Sequence, residues 1–256
     1  MPYRNRFVWV ALLVASCLYF IDDFCFAESR TALVIGISEY EKARLTNTVN
    51  DAEDMAESLH NMGFEVTKLK NPDFRQMEEA INAFYQKIKS KQGTGLFYYA
   101  GHGIQVKGQN YLIPMGANIE SESDAAFKGL DAARVLGKME DAGNKVNIVI
   151  LDACRDNPFA RNFRSNTKGL SRMDAPAGSL IAYSTAPGSV ASDGDGRNGI
   201  FTGYFIKHMK TPGLSIEQVL KQTRRDVMAV TNNQQVPWES SSLTGDFLFQ
   251  AAEMSQ

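Results

Sequence analysis

At 256 residues, 44% hydrophobic and 22% charged, the chain has an ordinary globular composition, long enough for one large α/β domain with a two-sided core. A formal net charge of -2 leaves no basic face or stripe of the kind that marks a nucleic-acid partner. The first 27 residues stand apart: Arg4 and Arg6 precede an unbroken apolar run from Phe7 to Ile21, and small residues at Cys25 and Ala27 suit cleavage after Ala27. The run is short for a spanning helix, which needs about 20 apolar residues. Residues 1–27 therefore read as a secretory signal and 28–256 as the mature domain, exported to a periplasm or beyond. Two alternatives are an uncleaved anchor and lipidation at Cys17, since Val14-Ala15-Ser16-Cys17 also looks like a lipoprotein processing site.

From Thr31 strand and helix signals alternate. Thr31 to Gly36 is the first strand. Asn50 with Glu53 reads as a capping box opening a helix, whose apolar positions Ala52, Met55, Ala56 and Leu59 recur at helical spacing until Gly63 stops it. Phe64 to Leu69 is a second strand, and Met77, Ile81, Phe84 and Ile88 mark a second amphipathic helix. Leu96 to Tyr99 is a buried strand, Tyr111 to Pro114 a short hairpin piece, and Leu130 to Met139 a helix. Val146 to Leu151 and Ser179 to Ser184 are further strands. Helices follow over Phe201 to Met209 and Ile216 to Val230, and Asp246 to Phe249 reads as a last strand at the sheet edge. The sum is an α/β fold with a mostly parallel central sheet flanked by helices.

Two runs carry chemistry. Tyr98-Tyr99-Ala100-Gly101-His102-Gly103 and Leu151-Asp152-Ala153-Cys154-Arg155-Asp156 place a histidine and a cysteine just past two strand-like segments. Ligands bind at the carboxyl ends of strands in open α/β sheets, so His102 and Cys154 should face one another there. Removal of residues 1–27 would take Cys17 and Cys25 with it and leave Cys154 as the sole thiol, unable to form an internal disulfide. A free cysteine has a pKa of about 8.5 and attacks only as thiolate, so it needs a base, and His102 is the best placed. Gly101 and Gly103 would permit a tight turn and close approach of substrate, and the backbone N–H groups of Gly103 and Cys154 would stabilise a developing oxyanion. His60 and His208 read as structural or solvent-facing. No ligand spacing suggests a metal or other cofactor.

These motifs, with Ala32 to Gly36, Asn50-Asp51, Tyr183-Ser184-Thr185, Asn198 to Phe201 and Ser241-Ser242-Leu243, resemble the caspase-like superfamily (peptidase C14 type), nearest to bacterial metacaspase and paracaspase domains, over nearly all of Arg30 to Phe249. The resemblance implies a caspase-haemoglobinase fold and a cysteine endopeptidase with Cys154 as nucleophile and His102 as general acid and base. Caspases proper carry Gln-Ala-Cys-Arg-Gly at the nucleophile, whereas this chain has Asp152 in place of the glutamine. Metacaspases and paracaspases have an acidic P1 pocket, and Asp152, Asp51 and Asp193 fit it, Asp195 being an alternative to Asp193. Such a pocket would take arginine, then lysine, through charge-assisted bonds and would repel aspartate.

Arg161, Arg164, Lys168 and Arg172 lie in a polar stretch where caspase relatives place an activation linker, which implies self-cleavage after a basic residue. Asp193-Gly194-Asp195-Gly196 lacks the bidentate glutamate of an EF-hand, and calcium activation, known in some metacaspases, is undecided. The expected partners are protein or peptide substrates with a basic P1 residue. Two other readings share the fold: a scaffold without activity, and a hydrolase of non-peptide amides or esters.

Overall fold

A computed structural model describes residues 28–154, 169–186 and 196–252, for Cys154 the backbone alone. Residues 1–27 with Cys17, expected to be a signal, the basic positions Arg161, Arg164 and Lys168, and Asp193 with Asp195 lie outside the described residues. No described helix is long and apolar enough to cross a membrane.

Among the described residues the sheet has eight strands, six of them ordered β2-β1-β3-β6-β7-β8, with a small β4–β5 extension on β3. They are β1 (Ser29–Gly36), β2 (Glu65–Lys70), β3 (Gly93–Val106), β4 (Gln109–Leu112), β5 (Leu130–Asp131), β6 (Val146–Cys154), β7 (Ser179–Tyr183) and β8 (Trp238–Ser241). Pairing from β2 through β7 is parallel, and β8 closes one edge antiparallel to β7. Alternate residues of each central strand feed two cores. Leu33, Ile35, Phe97, Val149 and Leu151 pack on one face with α2 (Phe74–Lys91) and α4 (Ala132–Asp141). Val34, Leu96, Ile148 and Ile150 pack on the other with α1 (Thr48–Asn61), α5 (Ile200–Met209) and α6 (Ile216–Val230). A sheet covered on both faces explains why its strands read as continuous apolar runs rather than alternating ones.

Several local expectations move. The capping box at Asn50 is absent: the cap lies three residues earlier, at Asn47, and Asn50 Nδ2 donates instead to the Arg197 carbonyl at 3.1 Å. A capping box does occur at Asp73 and Gln76, opening α2, whose inward positions Met77, Ile81, Phe84 and Ile88 are all buried. The stretch Leu130 to Met139 divides into β5 and α4, and a further short helix, α3 (Glu122–Lys128), precedes it. Asp246 to Phe249 is not an edge strand. Arg30 holds that segment by donating to the carbonyls of Leu248 and Phe249, both at 2.8 Å, while Phe247 and Phe249 bury against Phe64. The edge is Trp238–Ser241, whose charged and polar make-up hides it from an apolar-run reading.

Between β1 and β3 the strand order reverses, because the chain runs from β1 outward to β2 and then returns to the other side of β1. Such a switch point opens a crevice at the carboxyl ends of the two strands. The loop after β1 and the end of β3 meet there.

Candidate active site

β3 and β6 run in parallel register to their ends, with His102 and Cys154 as the last Cα partners. His102 is not in a loop beyond the strand, as its glycine neighbours suggested. β3 continues to Val106 and turns through Lys107 and Gly108, both at positive φ, into β4. Gly101 and Gly103 are extended, so their role is space rather than turning. A Cβ on Gly101 would lie 2.5 Å from the Tyr99 hydroxyl and 2.7 Å from that of Tyr40, and one on Gly103 would lie 2.8 Å from Leu170 Cδ2.

The space at Gly101 is filled by two tyrosine hydroxyls that cage the histidine. Tyr40 Oη accepts the His102 N–H at 2.9 Å and donates toward the Ile113 carbonyl at 3.1 Å, and Tyr99 Oη donates toward the His102 carbonyl at 2.8 Å. The Tyr40 ring lies against the imidazole, 4.4 Å between centroids. His102 Nε2 sits 2.7 Å from the carbonyl oxygen of Ala43. A carbonyl only accepts, so Nε2 carries the hydrogen, and in the neutral ring Nδ1 is the basic nitrogen. Ala43 has a φ of 60°, left-handed backbone for a residue with a side chain, and such strain is found where a site requires a particular backbone direction.

The Ile113 N–H donates to the His102 carbonyl at 3.0 Å. That bond makes Gly103 and Leu112 a pair without mutual hydrogen bonds, so the Gly103 N–H points away from β4, to the side on which β6 ends.

A second group lies on the α1–α5 face. Asp51, in the first turn of α1, is buried, and its Oδ1 accepts the Gly199 N–H at 2.9 Å. It serves another element rather than only its own helix end. Asp152, also buried, accepts from Thr202 Oγ1 through Oδ2 at 2.6 Å. A Cβ on Gly199 would stand 3.1 Å from Asp51 Oδ2 and 3.7 Å from Asp152 Oδ2, so the two carboxylates converge on the start of α5. Two buried acids side by side are costly, and each is offset by a donor. Hydrogen bonds to charged groups contribute about 1.5–3 kcal/mol each, and a helix N-terminus favours negative charge. The segment leading into α5 is clasped from outside: the Arg197 guanidinium donates to both oxygens of Asp54, at 2.8 and 2.9 Å, and Asn198 Nδ2 donates to the same carboxylate at 2.9 Å. The Arg197 bond holds the Asp54 carboxyl below the usual carboxylate range despite partial burial.

The structure thus brings Asp51 and Asp152 together and sets His102 opposite the Cys154 backbone. Arg172 is exposed, stacks over Trp238 and pairs with Asp174. Tyr40, Ala43 and Thr202 complete the surroundings and went unread in the sequence, where Gly199 figured only within the motif from Asn198 to Phe201. Only Thr202 leaves a trace there, as a threonine on the buried face of an apolar helix.

A mostly parallel α/β sheet flanked by helices is consistent with a caspase-type domain. The Peptidase C14 caspase domain model matches residues 29–248, and the chain belongs to that family. Among curated relatives, it is 26% identical over 185 residues to human mucosa-associated lymphoid tissue lymphoma translocation protein 1, covering 72% of this chain and 22% of the human protein. The mouse homolog matches at 26% over 185 residues, again 72% of this chain, and 21% of its own length. The chain therefore spans about a fifth of these relatives.

Proposed function

We propose that the protein is an exported cysteine endopeptidase that cleaves after arginine, and less readily after lysine. The observation that carries this reading is the convergence of Asp51 and Asp152 on the start of α5, beside the strand ends that bear His102 and Cys154. Two buried carboxylates match the charge and the forked donors of a guanidinium; an ammonium satisfies them as a point charge only.

In this reading His102 Nδ1 takes the Cys154 thiol proton while Nε2–H stays on the Ala43 carbonyl, which also stabilises the imidazolium. The thiolate attacks the scissile carbonyl, and the Gly103 and Cys154 N–H groups receive the oxyanion. As the tetrahedral adduct collapses, the imidazolium protonates the leaving amine. Water, deprotonated by the same imidazole, then hydrolyses the thioester and restores the thiol. Asp193 would complete the acidic pocket. Self-cleavage after Arg161, Arg164, Lys168 or Arg172 belongs to the same specificity.

The test is a panel of fluorogenic peptides ending in Arg, Lys or Asp, assayed with wild type, Cys154→Ala and Asp152→Ala. Wild type should turn over Arg above Lys and leave Asp untouched. Cys154→Ala should abolish turnover, and Asp152→Ala should lower kcat/KM for Arg by about 10²-fold or more, the scale of an unpaired buried charge. Undiminished cleavage after Arg by Asp152→Ala would overturn the pocket. No turnover of any peptide by wild type would favour the scaffold instead.

A further inference from the structure

We propose that Thr202 is a positioning residue that sets the preference for arginine over lysine, by fixing the orientation of Asp152 from the first turn of α5. The inference rests on the pocket reading above and assigns its specificity to a residue outside the acids themselves.

Thr202 and Tyr98 are wholly buried, and Asp152 is nearly so. Tyr98 Oη lies 2.6 Å from Thr202 Oγ1, which lies 2.6 Å from Asp152 Oδ2. The directions follow from the proton count. An ionised carboxylate only accepts, so the single hydroxyl hydrogen of Thr202 goes to Asp152, and the Tyr98 hydroxyl must donate to Thr202. Both separations fall at the short end for O–H···O bonds, as expected of a charge-terminated relay whose members polarise one another.

The relay shares its base with the other acid. Asp51 is held at the Gly199 N–H and Asp152 at Thr202, three residues on and about one helical turn away. One rigid helix start therefore registers both carboxylates against each other. A planar guanidinium needs two acceptors at a set spacing and angle, whereas an ammonium adapts to either. Loss of the Thr202 hydroxyl would loosen one restraint on the Asp152 carboxylate and would also withdraw a bond from its charged form. The first effect should fall on arginine more than lysine. The second should raise the pH at which Asp152 takes a proton, with Asp51 the neighbouring acid that adds to the rise.

The experiment compares wild type, Thr202→Val, Thr202→Ser and Tyr98→Phe on the Arg and Lys peptides across pH, with melting temperatures as the check on folding. Thr202→Val should lose about 10- to 100-fold in kcat/KM for Arg, mainly through KM, with a smaller loss for Lys. Its acidic limb should move to higher pH. Thr202→Ser should recover the Arg preference and the wild-type limb. Tyr98→Phe should shift both in the same direction by a few fold. A folded Thr202→Val with the wild-type ratio and limb would overturn the inference while leaving the pocket intact; should that variant not fold, an unchanged ratio in Tyr98→Phe would do the same. If wild type itself cleaves neither basic peptide, the pocket reading falls and this inference falls with it.

Discussion

The two sides of the strand ends hold their functional groups by different means. On the β1–β3 side the described contacts of the histidine include neutral groups, two tyrosine hydroxyls at its backbone and the Ala43 carbonyl at its ring. On the α1–α5 side both acids accept from the same helix start, Asp51 from Gly199 N–H and Asp152 from Thr202 Oγ1. In the proposed mechanism neutral partners orient the imidazole while leaving it able to gain and lose a proton. Donors at the acids favour the charged form, which suits the proposed binding of a basic side chain. The first side is sensitive to volume, and the second to charge.

The largest expected effect is therefore steric and lies at Gly101. A methyl there would meet the Tyr99 and Tyr40 hydroxyls well inside contact distance, and overpacking on this scale costs about 1–3 kcal/mol or more. Gly101→Ala should lower the denaturation midpoint and abolish turnover together. Combining it with Tyr99→Phe, which removes the nearer oxygen, should return part of the stability. Simple additivity in that double-mutant cycle would show that the tyrosine cage is not what excludes a side chain.

A milder change to the same cage is Tyr40→Phe, which keeps the ring against the imidazole and removes the acceptor of the His102 N–H. Losing the partner of a buried donor costs about 1–3 kcal/mol. We expect a lowered kcat with KM for Arg peptides nearly unchanged, since the acids on the other side are untouched. A change confined to KM would contradict the division between the two sides.

The sequence carried the chemistry of this comparison but little of its support. Strand runs, the His102 and Cys154 positions and the acids Asp51 and Asp152 were legible because continuous apolar runs and rare residue types leave local marks. The structure sets His102 and Cys154 in register and brings the two acids to one helix start. What was illegible depends on contacts across many residues. Thr202 meets Asp152 from 50 positions away and Gly199 meets Asp51 from 148. Ala43 acts through a carbonyl that every residue possesses, so its identity carries no signal. The glycines misled for a related reason, since the same residue serves a turn or a crowded strand, and only the packed neighbours tell which.

The smallest expected effect tests the clasp outside the acids. Asp54 binds Arg197 and Asn198 and so anchors the segment that enters α5. Because the Arg197 bond lowers the Asp54 carboxyl from its ordinary 3.8, the folded state holds fewer protons than the unfolded one between those two values. The associated stability is complete above the unfolded value and is lost as pH falls through the folded one. Asp54→Asn should thus melt below wild type at pH 6, by no more than a few degrees because Arg197 is largely exposed. The difference should close as the pH is taken below about 3.8. A gap that did not narrow as the pH fell below the unfolded value would mean that Asp54 acts through its shape or its bond to Asn198 rather than through its charge.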